Sequence, residues 1–192
     1  MTVIGRAFVA ITPPDDVLDA IEHTVSPVRR SQAGKKLRWA GRDQWHITLQ
    51  FLGRVADADL LNDAVHEAVS RIAPFGAQFG GASAFPSVAK ANVLWAGVGE
   101  GVRATESLAH TVEHALVPLG YAPERREFHP HLTLARVNPP GDVSVQVNAL
   151  DQVIGDPWQV DEVVVMYSLT RSAGAEYGVV ARHALNGVAG ST

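Results

Sequence analysis

Cysteine is absent from all 192 residues. Its absence removes disulfides, a thiolate nucleophile and every Cys-ligated class of zinc site. Long apolar runs are missing as well: none approaches the roughly 20 residues that cross a bilayer, so a soluble protein with no membrane partner is expected. The first strand-like stretch, Arg6-Ala7-Phe8-Val9-Ala10-Ile11-Thr12, runs straight into Pro13-Pro14 without the charged start, long apolar core or small-residue cleavage site of a secretory signal. A cytoplasmic location is the expectation. Nor is there an excess of positive charge. A net charge of -4 and a pI near 6.0 argue against a protein that coats nucleic acid by neutralising many phosphates.

Positive charge is nonetheless uneven. Arg29, Arg30, Lys35, Lys36, Arg38 and Arg42 fall in one short segment, and Arg125, Arg126 and Arg136 bracket a later one. They read either as a local basic mouth or as solvated loop charges.

Each basic segment lies beside a copy of the same pattern, His-apolar-Thr-apolar: His46-Ile47-Thr48-Leu49 and His131-Leu132-Thr133-Leu134. Both copies sit in strand-like runs, Trp45 to Leu52 and Pro130 to Val137. Side chains alternate across a strand, so His46 and Thr48 share one face roughly 6.6 Å apart while Ile47 and Leu49 point into a core. The same holds for His131 and Thr133. One His-x-Thr on a sheet is ordinary; two with identical interleaving are not what core packing would select, since Val or Ile would serve it better. Two imidazoles and two hydroxyls converging on one small polar group suit acid and base attack on a phosphodiester, with the hydroxyls donating to the non-bridging oxygens.

Periodicity places amphipathic helices at Asp15 to Val28, Asp57 to Ile72 and Val102 to Leu119, the last closing at Gly120. Further strands are expected at Gly76 to Phe85, Asn92 to Val98, Val143 to Ala149, Val160 to Thr170 and Glu176 to Leu185. Pro139-Pro140-Gly141 reads as a turn, and Ser172-Ala173-Gly174 as a hairpin turn. The motif histidines are 131 − 46 = 85 residues apart, each beside a helix and paired strands, which suggests two similar lobes facing one another.

The chain resembles the 2H phosphoesterases, and within them the RNA 2',3'-cyclic phosphodiesterases first described as RNA 2'-5' ligases. The resemblance spans nearly the whole chain. Beyond the motifs it rests on Arg6-Ala7-Phe8-Val9-Ala10, on Gln50-Phe51-Leu52-Gly53 after the first motif, on Val93-Leu94-Trp95, Gly120-Tyr121 and Phe128-His129-Pro130, and on Ala135-Arg136, Ser168-Leu169, Gly174 and Tyr177. Trp45 stands where relatives often carry a small polar residue or Leu, and Asn92 where some carry a basic one. The resemblance implies a bilobal α+β fold in one domain over 1–192, two antiparallel β-sheets forming a central cleft with helices packed outside, and lobes related by a pseudo-two-fold axis. It also implies hydrolysis of a cyclic phosphate at an RNA 3' end to a 2'-phosphate, with no metal and no cofactor, His46 as acid and His131 as base.

Arg136 is a candidate phosphate clamp, its fork being suited to bidentate binding. Strict alternation puts it opposite His131, so it reaches the cleft only if the strand bulges or ends near Ala135. Phe8 and Tyr177 are candidates to stack on a base or ribose, with core or rim packing as the plain alternative. His110-Thr111-Val112-Glu113-His114 matches a zinc-peptidase pattern, yet Leu108, Val112, Ala115, Leu116 and Leu119 define the buried stripe and leave both histidines on a solvent face where no cleft is expected. His129 reads as rim or flank. The partners expected are therefore an RNA 3' end or a small cyclic nucleotide, acted on by a monomer. Rival readings are a 2'-5' RNA ligase acting on tRNA halves with the same residues, and a non-catalytic RNA 3'-end binding module.

Overall fold

The computed structural model describes residues 4–123, 126–171 and 174–188. In chain order the elements are β1 (Ile4–Ile11), α1 (Asp15–Arg30), β2 (Arg38–Trp39), β3 (Ile47–Val55), α2 (Ala58–Val69), β4 (Phe75–Phe85), β5 (Ala91–Glu100), α3 (Val102–Leu116), β6 (His131–Gly141), α4 (Ser144–Leu150), β7 (Val153–Val160), β8 (Glu162–Arg171) and β9 (Gly174–Ala184).

The strands pair antiparallel in the order β7-β4-β5-β6-β3-β1-β8-β9, with β2 added on β6. At the middle of this order β3 and β6 meet at one registered pair, Ile47 opposite Leu132. The sheet is therefore continuous, and the two expected sheets are its halves, joined at a narrow seam. That seam falls inside both motifs.

The halves are exchanged with respect to their helices. Helix α1 follows β1 of the β3 half but packs on β7 of the β6 half, beside α4, which itself packs on β4. Helix α3 follows β5 of the β6 half but packs on β3, beside α2. Each half is thus covered by a helix from the other half's chain segment. Helix α1 shows how the sequence dictates this: Val17, Ile21 and Val25 recur at every fourth position and are buried, while Asp15 and Asp16 in its first turn and Arg29 and Arg30 in its last complement the helix dipole. The core runs along the seam, with Ile47, Leu132, Leu134 and Ala96 all fully buried.

Three expectations change. Val143 to Ala149 alternates like a strand, yet Ser144–Leu150 is helical. The Asp142 carboxylate accepts from the Ser144 amide at 2.7 Å, and a helical turn buries Gln146 and Leu150 together while Val145 faces solvent. Pro139-Pro140-Gly141 is the end of strand β6 rather than a turn, and Gly141 pairs with Ala91. Strand β3 does not stop at Gly53 but runs on to Val55, the positive φ of that glycine absorbing an irregularity in its pairing with β1. Strands β2 and β7 were not expected. The hairpin between β8 and β9 forms, with Arg171 opposite Gly174; Ser172 and Ala173 of its turn lie outside the described residues, as does Arg125. Among the described residues no helix is long and apolar enough to cross a membrane.

Candidate active site

Both motif strands carry the same irregularity at the same place. Opposite β1, one step from Val9 to Ala10 is answered by two steps on β3, from Gln50 to Thr48. Opposite β5, the single step from Leu94 to Trp95 is answered by two on β6, from Ala135 to Thr133. Each motif strand thus holds one extra residue, a bulge that turns two successive side chains inward: Leu49 and Gln50 in one, Leu134 and Ala135 in the other. The residue after each bulge returns to the face of the His and Thr. In β6 that residue is Arg136, which the bulge carries into the cleft with His131 and Thr133. In β3 it is Phe51, 66% exposed. His46, Thr48, His131, Thr133, Arg136, Phe8 and Tyr177 all line one cleft of about 880 Å³, with Arg6 and Arg38 on the same wall.

The two imidazoles are held differently. His46 sits between aromatic rings, stacked on Phe8 at 4.8 Å between centroids and edge-on to Tyr177 at 5.1 Å. Phe8 is only 3% exposed and its face is taken by the imidazole, so Phe8 supports the histidine and leaves no open face for a base. Tyr177 is set in place by the turn before the motif: Gln44 donates from Nε2 to the Ala175 carbonyl at 2.6 Å and accepts the Gly41 amide at 3.1 Å. Burial lowers the pKa of His46 to about 4. The carbonyl of Gln44 acts in the opposite sense but falls short of a well-formed hydrogen bond, leaving Nδ1 of His46 without a partner.

His131 stands edge-on to Phe85 at 4.9 Å and beside Trp95 at 5.8 Å. Its Nδ1 lies 2.7 Å from the His129 carbonyl. A carbonyl can only accept, so Nδ1 carries the hydrogen and Nε2 is left with a lone pair directed away from that contact. Burial lowers the pKa of His131, and His129 and Arg136 add to the effect. The positive charge of His131 also lowers the pKa of His46, so the rings are within electrostatic reach of each other. Two neutral imidazoles at neutral pH are therefore ready for whichever ligand charges one of them.

Beyond the seam β3 and β6 part, and a second cleft of about 830 Å³ opens between Thr48–Phe51, Phe85, the 126–129 segment and α3. It shares His131 with the first cleft and reaches His110 and Glu113. That corrects the expectation of a bare solvent face there. His110 is exposed and lies 3.6 Å from Glu113, while His114 faces solvent. The buried stripe of α3 is Thr105, Leu108, Ala109, Val112 and Leu116, and Leu119 is exposed. Among the described residues no three His, Cys, Asp or Glu side chains converge as a metal site would require. Gln50 lines this second cleft, 2% exposed, with both amide atoms lacking partners.

Sequence reasoning missed Phe51 and Gln44 as site residues, and named Arg38 only as one of a run of basic residues beside the first motif. The signal for Phe51 was present: His-Ile-Thr-Leu-Gln-Phe aligned on His-Leu-Thr-Leu-Ala-Arg puts Phe51 at the position of Arg136.

Comparison with known proteins agrees with this geometry. Residues 13–171 match the model of the 2'-5' RNA ligase superfamily. A protein of Aeropyrum pernix named RNA 2',3'-cyclic phosphodiesterase is 34% identical over 119 residues, and the match spans 62% of each chain. One of the same name from Aquifex aeolicus is 28% identical over 96% of this chain and 99% of its own. A crystal structure from Thermus thermophilus superposes with a TM-score of 0.79 at 26% identity, covering 95% of this chain and 98% of that one.

Proposed function

Because the chain belongs to the 2'-5' RNA ligase superfamily, we propose that it hydrolyses the 2',3'-cyclic phosphate at RNA 3' ends to a 2'-phosphomonoester. The observation that carries the reading is the convergence of both His-Thr pairs on one cleft from opposite sides of the seam. The relatives' names supply the substrate class.

In this mechanism His131 is the base. Its Nδ1–H is held by the His129 carbonyl, its Nε2 lone pair is free, and burial together with Arg136 keeps the ring neutral. Nε2 takes a proton from water as the water oxygen bonds to phosphorus, and the bond from phosphorus to the ribose 3'-oxygen breaks on the opposite side. His46 gives that oxygen its proton, leaving the phosphate on the 2'-oxygen. An imidazolium at His46 is favoured once the anionic phosphate is bound, and the face of Phe8 adds a cation–π contribution. Thr48 and Thr133 donate to the non-bridging oxygens, where Arg136 balances the charge. Every proton is supplied by the protein or water, so the proton transfers themselves call for no cofactor and no metal. The reading includes one domain acting as a cytoplasmic monomer, which gel filtration and cell fractionation check.

The test is to supply RNA ending in a 2',3'-cyclic phosphate and identify the product isomer. A 2'-phosphate end is expected. Absence of turnover, or a 3'-phosphate product, overturns the reading.

A further inference from the structure

Several arginines in this chain are paired with acids. Arg29 meets Glu22, Arg182 meets Glu162, and Arg42 is clamped by Asp15 at 3.1 Å and Asp19 at 2.7 Å. Arg38 and Arg136 are not, and they are set apart by standing face to face. Their Cα atoms are direct partners across the β2–β6 ladder, and like charges facing each other on a sheet are unfavourable. Among the described residues neither has a carboxylate within ion-pair distance.

The backbone nevertheless holds the two together. Beside the Arg38–Arg136 pair, Trp39 faces Ala135, the Trp39 indole donates to the Gly34 carbonyl at 2.9 Å, and the Ala40 amide donates to the Leu134 carbonyl at 2.8 Å. Strand β2 is two residues long, and the residue before it is held as well, the Leu37 amide donating to the Gly34 carbonyl at 3.0 Å. Both arginines line the motif cleft. Arg136 shares strand β6 with His131 and Thr133 and is close enough to lower the pKa of His131. Arg38 stands on the neighbouring strand β2, across the ladder from Arg136.

We propose that Arg38, with Arg136 shared between two anions, forms a second phosphate site that takes the phosphodiester on the 5' side of the cyclic-phosphate nucleotide. This rests on the proposed hydrolase reading and sharpens its substrate class. A cyclic phosphate occupies the 3' end, so the only neighbouring phosphate in RNA is the one on the 5'-oxygen of the same nucleoside. Two guanidiniums at cross-strand spacing, roughly 5 Å between Cα atoms, reach two such groups. An anion between them also replaces mutual repulsion with two charge-assisted hydrogen-bonding partners. The substrate is then an RNA chain, or a 5'-phosphorylated nucleotide, in preference to a bare nucleoside cyclic phosphate.

The experiment compares ApA ending in a 2',3'-cyclic phosphate with adenosine 2',3'-cyclic phosphate in wild type and in Arg38→Gln. Wild type should have a kcat/KM about tenfold or more higher for the dinucleotide, the scale of one hydrogen-bonded charge. The variant should bring the two substrates within about twofold of each other. An equal loss on both substrates, or an unchanged ratio, overturns the second site. A binding arm separates this from failure of the hydrolase reading: adenosine 3',5'-bisphosphate should bind wild type more tightly than 3'-AMP does, and Arg38→Gln should erase the difference. If wild type turns over no cyclic phosphate, the hydrolase reading falls while the binding arm still decides the site. Equal binding of the two nucleotides by wild type overturns it.

Discussion

The two motif strands have similar sequences, the same bulge and the seam at the same motif position, yet their histidines live in different surroundings. His46 is enclosed by Phe8 and Tyr177 with its Nδ1 unpaired; His131 has its Nδ1 fixed by a carbonyl and an arginine two residues beyond Leu134. The strand pattern sets where the two rings point. In the proposed mechanism the neighbours decide which one takes a proton and which one gives it. A symmetric frame thus holds an asymmetric pair, and the asymmetry comes from residues the motif does not contain.

The largest effect should follow from removing either member of the pair. His46→Ala and His131→Ala are each expected to lower kcat by at least about 100-fold, since general acid or base groups supply that much or more. Circular dichroism should show the fold intact, because neither ring fills the main core. A variant that keeps a tenth of the activity would take its histidine out of proton transfer.

Arg136→Gln sharpens the comparison by making His131 more like an isolated ring. Loss of the guanidinium removes a positive neighbour that lowers the pKa of His131, so the limb of the pH profile that belongs to His131 should move toward higher pH. It should also raise KM, by about tenfold for one charge-assisted contact to phosphate. A weaker KM effect with no movement of the limb would place Arg136 outside the reacting group's reach.

The smallest effect concerns Gln50 and Ala135, the matching inward residues of the two bulges. Ala135 suits its site, whereas Gln50 buries an amide without partners, a cost of about 1–3 kcal/mol. Gln50→Leu should therefore raise stability by roughly 1 kcal/mol, measured by urea unfolding. A loss of stability would mean that the amide is satisfied in solution.

Much of this was legible in the chain because it is local. Alternation gives the facing of His46, Thr48, His131 and Thr133, and the four-residue repeat of Val17, Ile21 and Val25 gives α1. The position of Arg136 followed from alternation plus a stated condition, a bulge near Ala135, and the pairing with β5 supplies that bulge. Long-range features were not legible. Pairing of Arg38 with Arg136 joins segments far apart in the chain, and the covering of each half by the other's helix leaves no mark on periodicity. Val143 to Ala149 misled because an apolar residue at every second position fits a strand, while the Asp142 carboxylate accepting the Ser144 amide and the burial of Gln146 and Leu150 favour a helix.

The central claim is that two partly buried histidines do the proton chemistry, and the pH dependence of kcat/KM for a cyclic phosphate in excess EDTA tests it most directly. This profile reports the free enzyme, in which one ring must be protonated and the other neutral. Burial lowers the pKa of both rings, His46 to about 4, so each limb should fall below the ordinary histidine value near 6.5. The account predicts a bell displaced to acid pH, undiminished by EDTA. A rate that rises with pH and never falls, or activity lost in EDTA and restored by zinc or manganese, would contradict it.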